Sequence, residues 1–540
     1  MNMKTYKIIT LALIAMISFN SCSDFLTTEL TDAKKTSDTY YKNSTEAYTA
    51  LVGCYNGLDL IWNSGVSFPL ASEVLSDNCL GGTGASDGYG YQLLNEFNKA
   101  ISPADVSLYS ANWKAYYQAI YRCNVLLSKI DQVSWGDSIA LKKQYKAEAR
   151  FIRAFCYFDM ARLWEKVPLI TTPTIENVPQ ADPATIYSQI MSDLRYASDS
   201  LPSAVYTSVP NGRVTRWAAE SLLARAYLFY DGYYGKGDNS TSIGGETGAT
   251  VLHGLKGDDK GGLEDAIANS GHDLVSDFNT LWPAASTAKG LTYAGENNKE
   301  VVFSIKYSSG EDYNGNITGN EWMVMTGIRG ESHYPYQAGW GGCTVDPKLY
   351  NTFTSGDSRR FASITAIAEE GINYTASADN REYTGYFLKK YSPLCDKKGK
   401  SIVTDFMIGQ YQDYFSIRFA DVLLMAAELG SKNAQNDFDR VCKRAGMQTG
   451  VTPSKTNIMA QRQLEFVGEG IRYWDLLRQG ISTAASTIAN NTSLSFLNDG
   501  HTAPTAAQLQ ANITATRGFQ QIPNDQITLA SGVLTQNAGW

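Results

Sequence analysis

The amino-acid sequence predicts a mainly α-helical protein in which helical hairpins carry a loop-rich half with a few short strands. Several long segments place apolar side chains at helical spacing. Stretches rich in Gly, Ser and Thr separate these segments, and residues 300–307 alternate apolar and polar side chains as a strand does. With 540 residues, 43% of them hydrophobic, the chain can bury one large core or two moderate ones.

The first residues predict an export signal followed by a lipid attachment site. Two lysines precede the apolar stretch Ile8–Phe19, and the small Ser21 stands directly before Cys22. This stretch is shorter than the roughly 20 residues that a membrane-spanning helix needs, so we interpret residues 1–21 as a signal peptide. Acyl chains on Cys22 would contribute about 0.8 kcal/mol for each buried CH2 and hold the protein on a membrane. The alternative is a secreted protein in which Cys22 is incidental.

Helices are predicted in succession along the N-terminal half. One of them carries Phe151, Phe155 and Phe158 on a single apolar face. Another begins after Thr215, whose hydroxyl can cap it. The stretch 62–98 is predicted to be mostly loop. The predicted helices cover 44–58, 113–130, 142–165, 186–201 and 215–230.

Three further regions follow the predicted N-terminal helical region, 22–231. Residues 232–294 are rich in Gly and Asp and are predicted to form an irregular insertion. The C-terminal region, 295–540, begins with the predicted strand and continues into loops. The tail beyond Ser482 is predicted to be mostly irregular. Between the loops and the tail, helices are predicted over 418–429, 436–445 and 457–478.

Charge and cysteine content argue against two classes of protein. The formal net charge of -8 and the lack of a basic block argue against nucleic acid as a partner. Apart from Cys22, the seven cysteines lie far apart, form no CxxC pair and are odd in number. We therefore expect buried thiols and not a disulfide framework. The 33 tyrosines and 10 tryptophans suit a surface that stacks on ligands, although such residues also fill cores.

A row of charged residues in the last predicted helix is the strongest candidate for catalytic carboxylates. Glycosidases need two carboxyl groups on either side of a sugar. Here each carboxylate has an arginine three positions away on the same helix, which is the spacing of an intrahelical ion pair. Such pairing lowers a carboxyl pKa, whereas a general acid needs a raised one. We therefore predict a structural role for Arg462, Glu465, Glu469, Arg472, Asp475 and Arg478, and no catalytic residue.

No metal or other cofactor is predicted. The four histidines are scattered in predicted loops and show no paired spacing. The runs GKGDNS (235–240) and GDDKGG (257–262) could bind calcium, but neither has the full ligand alternation of an EF-hand loop.

Paired amphipathic helices with alanines at crossing points are similar to the tetratricopeptide helix-turn-helix unit of about 34 residues.

Four longer runs resemble the signature blocks of the SusD/RagB family, and they occur in the family's order. The start SCSDFL (21–26) and the ending IPNDQITLASGVLTQNAGW (522–540) also resemble the family. Glu165 departs from the pattern, which often has Gly there. The four runs are EARFIRAFCYFDMARLWEKVPLI (148–170), GRVTRWAAESLLARAYLF (212–229), IRFADVLLMAAEL (417–429) and QRQLEFVGEGIRYWDLLRQG (461–480).

The resemblance implies both a fold and a function. The fold would be tetratricopeptide-like hairpins that carry an irregular ligand-binding half. The function would be that of a lipid-anchored, cell-surface protein of the outer membrane that binds a glycan and delivers it to a SusC-like TonB-dependent transporter. Some relatives handle peptides, so a peptide or another nutrient is the alternative ligand. A hydrolase is a third reading, and it would require paired carboxylates across a cleft.

Aromatic and polar residues of two loop regions are the candidates for ligand contact, because the resemblance places the family's site there. Aromatic faces stack on the C–H faces of sugar rings, while Asp and Asn hydrogen-bond hydroxyl groups. Four other tryptophans lie in predicted helices and are expected in the core, namely Trp113, Trp164, Trp217 and Trp474. The ligand candidates are Trp62, Asp77, Asn78, Tyr89 and Tyr91 in the first region and Tyr313, Asn320, Trp322, Tyr334, Tyr336 and Trp340 in the second.

Overall fold

The computed structural model describes residues 39–540, apart from 64, 85–86, 88–89, 99–106, 256–260, 310–317, 377–379 and 491–503. The predicted signal peptide, the lipidation residue Cys22 and the ligand candidates Tyr89 and Tyr313 lie outside the described residues. Within them the protein is mainly helical with a few short strands, which confirms the predicted fold class.

Helices form most of the N-terminal half, and each predicted helix is present. Thr215 caps one of them, because its hydroxyl accepts a hydrogen bond from the backbone amide of Ala218. Two helices, α2 and α3, lie in the stretch 62–98 that was predicted to be mostly loop. The helices are α1 (Ser44–Asn63), α2 (Phe68–Leu75), α3 (Gly90–Glu96), α4 (Ser110–Lys129), α5 (Ile139–Trp164), α6 (Pro183–Ser200) and α7 (Arg216–Tyr234).

Successive long helices pack side by side as tetratricopeptide-like hairpins. Helix α1 packs on α4, α4 on α5, α5 on α6 and α6 on α7. At the crossing of α1 and α4, a Cβ on Gly57 would lie 2.7 Å from the Cβ of Ala119, so only glycine allows this approach. The four tryptophans that were expected in the core are all buried: Trp113, Trp164, Trp217 and Trp474.

Residues 232–294 are more ordered than their composition predicts. They contain helices α8 (Gly248–His253), α9 (Leu263–Asn269) and α10 (Pro283–Lys289). Phe278 and Trp282 are fully buried in the same core cluster as the N-terminal helices. Apolar side chains placed between the Gly and Asp residues anchor this region, because their burial stabilises it against the rest of the core.

The strands of the described residues form three two-stranded sheets. Strand β1 pairs antiparallel with β6, β2 parallel with β3, and β4 antiparallel with β5. Sheets this small depend on packing against helices for their stability. Three short helices lie in the same part of the chain: α11 (Met323–Thr326), α12 (Pro347–Thr352) and α13 (Ser358–Ser363). The strands are β1 (Val301–Ile305), β2 (Ile328–Arg329), β3 (Ala338–Gly339), β4 (Ile364–Ala366), β5 (Tyr386–Leu388) and β6 (Tyr414–Arg418).

The C-terminal region differs from the prediction in two places. The helix predicted over 457–478 is interrupted, because Gly468 and Gly470 adopt φ values of +77° and +69°. The tail beyond Ser482 was predicted to be mostly irregular, whereas its described part contains several helical segments. The helices of this region are α14 (Phe419–Glu428), α15 (Ala434–Arg444), α16 (Lys455–Glu465), α17 (Arg472–Leu477), α18 (Ile481–Ala489), α19 (Ala506–Ala515) and α20 (Asn524–Leu529).

The ion pairs that were predicted within this helix form only in part, because most of these side chains bind groups on other elements. Only Asp475 and Arg478 pair at the predicted spacing, at 2.8 Å. Arg462 binds Asp475 and Asp421 instead, and Arg472 binds Asp77 of the N-terminal half. The prediction of intrahelical pairs was therefore wrong for the other two, although the structural role is retained.

The remaining two carboxylates of the row form a buried ion network around Arg418. Arg418 donates to Glu300 at 2.6 Å, to Glu465 at 2.9 Å and to Glu469 at 2.7 Å, and all four side chains are at most 1% exposed. Burial alone would raise the pKa of Glu465, but Arg444, Arg418 and Arg359 hold it below its usual range. Glu465 is therefore an anionic partner of these arginines.

Two further features noted in the sequence concern Glu165 and the cysteines. Glu165, at the position where glycine is common in the family, has a φ of +60°, so the backbone there does favour glycine. The expectation of free, buried thiols is confirmed for Cys54, Cys79, Cys123, Cys156, Cys343, Cys395 and Cys442.

Replacement of Arg418 tests how much the ion network contributes to the stability of the fold. We expect Arg418→Ala to lower the free energy of unfolding by about 3–5 kcal/mol, because three buried carboxylates lose their partner. Urea denaturation measures this. The control is Arg440→Ala, which breaks a more exposed pair with Asp273 and should cost about 1 kcal/mol or less. Equal urea midpoints for the two variants would contradict the role given to Arg418.

Candidate ligand-binding site

Three of the aromatic candidates belong to the core and offer no surface to a ligand. Trp62 is 2% exposed, and its indole N–H donates to Asp159 at 3.1 Å. Trp322 is 4% exposed and packs against Tyr391, with ring centroids 4.9 Å apart. Tyr336 is buried and donates its hydroxyl proton to Glu370. Aromatic content in a loop did not distinguish a binding platform from loop residues that fill a core.

The polar candidates are buried as well, and each holds two segments together. Asp77 accepts two hydrogen bonds from the guanidinium of Arg472, at 2.7 and 2.8 Å. The amide of Asn78 donates to Glu73 at 3.0 Å, and its amide oxygen accepts from Gln463 of α16 at 3.2 Å. Asn320 donates to the carbonyl oxygen of Gln412 at 2.9 Å, which ties the loop before α11 to the segment that leads into β6. These hydrogen bonds serve the fold.

The remaining candidates reach the surface, and two of them meet in one cavity. Trp340 is 39% exposed and Tyr91 is partly buried, and both line a cavity of about 710 Å³. Tyr374 and Arg329, which the sequence analysis missed, line the same cavity. Tyr334 is exposed but lines a different, smaller cavity. We take the cavity of Trp340, Tyr91 and Tyr374 as the candidate site and call it the Trp340 cavity.

The backbone on either side of Trp340 is fixed, so its indole has a defined position. The amide of Trp340 donates to the carbonyl oxygen of Val324 at 2.8 Å, and its own carbonyl oxygen accepts from Arg329 at 3.0 Å. Gly339 of strand β3 packs so closely against Gly327 that no side chain fits at position 339. A Cβ on Gly339 would lie 2.6 Å from the carbonyl oxygen of Val324.

Arg329 joins the walls of the Trp340 cavity. Its guanidinium donates to Asp87 at 2.7 Å, and Asp87 also accepts from the backbone amide of Gly84 at 2.8 Å. The backbone carbonyl oxygen of Arg329 accepts the hydroxyl proton of Tyr374 at 3.2 Å. The loop before α3, strand β2 and the loop after β4 therefore meet at one arginine.

Burial raises the pKa of both phenols of the cavity. It raises the pKa of Tyr374, although the Asn380 amide that donates to the phenol oxygen lowers it in part. Burial also raises the pKa of Tyr91 above its usual value. The cavity thus presents aromatic faces together with an Arg–Asp pair, which suits a ligand with apolar C–H faces and many hydroxyl groups.

The described residues give no support to a metal centre. Among them, no group of three or more His, Cys, Asp or Glu side chains is placed to hold a metal ion. Most of the run 257–262, one of the two possible calcium loops, lies outside the described residues.

In the part of the chain that the structure covers, no helix is long and apolar enough to cross a membrane.

Comparison with known families matches both halves of the chain. Residues 83–228 match a SusD-like family described as starch-binding and associating with the outer membrane. Residues 365–540 match the SusD family model. The chain belongs to the SusD/RagB family. The sequence-based assignment is thereby confirmed.

Relatives of this SusD/RagB protein are similar over most of their length. A SusD-like protein, P25, from Formosa agariphila is 25% identical, over 89% of this chain and 90% of its own. A solved laminarin binding SusD-like protein is 27% identical with a TM-score of 0.69, covering 93% of this chain and all of its own. Surface glycan-binding protein A from Bacteroides thetaiotaomicron, solved with laminarihexaose, has a TM-score of 0.72 at 22% identity, over 92% of this chain and all of its own.

Two tryptophans test the assignment of the candidates to core and site. We expect Trp322→Ala to lower the free energy of unfolding by about 3–5 kcal/mol, because it removes a buried ring. Trp340→Ala should change it by only about 0.5 kcal/mol, because the ring faces the cavity. Urea denaturation of both variants measures the two changes in the free energy of unfolding. A larger loss for Trp340→Ala than for Trp322→Ala would contradict the assignment.

Proposed function

We propose that this protein is an outer-membrane, cell-surface lipoprotein that binds a glycan and delivers it to a SusC-like TonB-dependent transporter. The observation that carries the proposal is the Trp340 cavity, in which Trp340 and Tyr91 lie with Tyr374 beside the Arg329–Asp87 pair. At about 710 Å³, it has the size of a small-molecule site.

The lining favours a sugar over a peptide. Extended peptides bind mainly through backbone hydrogen bonds at an exposed strand edge. The Trp340 cavity offers aromatic side chains instead, and β2 and β3 each have only two residues, paired with each other. The solved relatives that bind laminarin or laminarihexaose make β-glucan oligosaccharides the first ligands to test.

The anchor and the transporter partner rest on the sequence and the family. Cys22 follows a signal-like stretch, and the family model for residues 83–228 is described as associating with the outer membrane. A lipid tether at Cys22 keeps the binding domain on the membrane that holds the transporter. Labelling with radioactive palmitate tests the anchor, since a Cys22→Ala variant should lose the label.

Binding without turnover completes the proposal. The charged residues between Arg462 and Arg478 were the strongest candidates for a glycosidase site. Their carboxylates are buried in ion pairs with arginines, and none of these residues lines the Trp340 cavity. Incubation with a bound polysaccharide should therefore release no new reducing ends. A steady release that follows protein concentration would support the hydrolase reading instead.

Substitution of Trp340 tests the glycan site. We expect Trp340→Ala to weaken oligosaccharide binding about tenfold or more, which corresponds to about 1.4 kcal/mol, because the sugar loses its exposed platform. Calorimetry on a panel that includes laminarihexaose and starch oligosaccharides measures this.

The matched control is Tyr121→Ala, which removes a ring that is 47% exposed on α4, away from the Trp340 cavity. It should leave the affinity unchanged. Equal affinities of the wild type and Trp340→Ala for the bound glycan would place the site elsewhere.

A further inference from the structure

The smaller cavity around Tyr334 has the features of a second sugar-binding surface. It measures about 370 Å³ and includes Tyr334, Tyr350, Arg360 and Glu369 in its lining. The Tyr334 side chain is 47% exposed, so its ring is open to a ligand. We call this space the Tyr334 cavity.

Its lining pairs aromatic rings with accessible charged groups. Tyr350 stacks on Tyr386, with ring centroids 4.4 Å apart, which fixes the wall of the cavity. The guanidinium of Arg360 lies 5.0 Å from the centroid of Tyr350 and 3.8 Å from the carboxylate of Glu369. The Arg360 side chain is 36% exposed and that of Glu369 is 55% exposed, so both can hydrogen-bond hydroxyl groups of a ligand.

The Tyr334 and Trp340 cavities are close neighbours, because two chain segments border both of them. Along the first segment, Glu331 lines the Trp340 cavity and Tyr334 lines the other. Along the second segment, Tyr374 lines the Trp340 cavity and Ile372 lines the Tyr334 cavity. Three residues span at most about 11 Å, so along each segment the residues that line the two cavities lie no farther apart than that. Between them, the ring of His333 meets that of Tyr374 edge to face, with centroids 6.1 Å apart.

A common base holds the two cavities in a fixed relation. Ile328, Tyr336, Ile367 and Phe387 form a small apolar cluster, against which Ile372 and Tyr374 pack. Glu370, next to the exposed Glu369, accepts from Tyr336 and, at 2.9 Å, from Lys389. Because the four residues of this cluster are at most 6% exposed, a ligand that spans both cavities meets a surface that rests on a buried, preorganised base.

We propose that the Tyr334 cavity is a second subsite, which binds distal sugar residues of a glycan already held in the Trp340 cavity. This inference rests on the proposed function. Once one end of the glycan is bound, contact of the other end with Tyr334 is an intramolecular step, so affinity rises with chain length. The protein therefore selects long oligosaccharides and polysaccharides over short ones.

The test compares short and long oligosaccharides of the polymer that the wild type binds, with laminaritriose and laminarihexaose as the first pair. We expect Tyr334→Ala to weaken binding of the long ligand about fivefold or more and to leave the short ligand unaffected. Arg360→Ala should give the same pattern, because it acts on the same cavity. Trp340→Ala should weaken both ligands, and Tyr121→Ala, which removes an equally exposed tyrosine, should weaken neither.

The possible outcomes separate the subsite from the function itself. If Tyr334→Ala and Arg360→Ala bind every length as the wild type does while Trp340→Ala fails, the subsite is refuted and the proposed function stands. If Tyr334→Ala weakens short and long ligands equally, the cavity is part of the primary site, which also refutes the proposal. If the wild type binds no glycan of the panel, both fall. Unchanged thermal midpoints of the variants exclude misfolding as the cause.

Discussion

The buried ion network around Arg418 is the constraint on which the rest of the C-terminal half depends. Charged groups that leave water lose a large hydration free energy, and pairing compensates only when the hydrogen bonds are complete. Here Nε, Nη1 and Nη2 of Arg418 all donate, to side chains or to the carbonyl oxygen of Glu465. Arg359 and Arg444 also bind Glu465. The network joins β6, α13, α15, α16 and the start of β1 into one unit.

From this unit, a chain of hydrogen bonds leads toward the site. Glu469 accepts from Lys390 at 2.6 Å, directly after β5, and the next amide, that of Gly470, donates to Glu73 of α2 at 2.9 Å. Beyond α2, the chain runs beside the segment that follows Trp340, with Leu80 donating to Thr344 at 2.8 Å. The loops of the ligand-binding half are therefore attached to the helical half by buried bonds. This attachment lets a few exposed aromatic rings act as a preorganised surface.

The helices and the free thiols could be predicted because both follow from local patterns, such as the spacing of Phe151, Phe155 and Phe158. The site could be predicted only in part. Trp340 and Tyr336 lie in the same loop region, yet one faces a cavity and the other is buried, because Tyr336 reaches Glu370 and Trp340 follows the close contact of Gly327 with Gly339. Such contacts join residues that are distant in sequence or depend on the path of the loop, and no periodicity reports them.

The ion pairs show the same limit in another form. An arginine three positions from a carboxylate predicts a local pair, but tertiary contacts take precedence here. Arg462 and Glu465 lie in the same helix, α16, yet bind Asp421 and Arg418, while a glycine-rich break separates Glu469 from α17. Tyr374 was missed for a similar reason. Its position in the Trp340 cavity depends on its bond to the carbonyl oxygen of Arg329, 45 residues away in the chain.

A crystal structure with a bound oligosaccharide tests the central claim most directly. The claim is that the fold buries most loop aromatics and leaves Trp340, Tyr91 and Tyr374 to hold the ligand. The predicted result is sugar density in that cavity, with one ring stacked on the indole of Trp340. Sugar density only in the groove beside Tyr48 and Arg213, on the helical half, would contradict it.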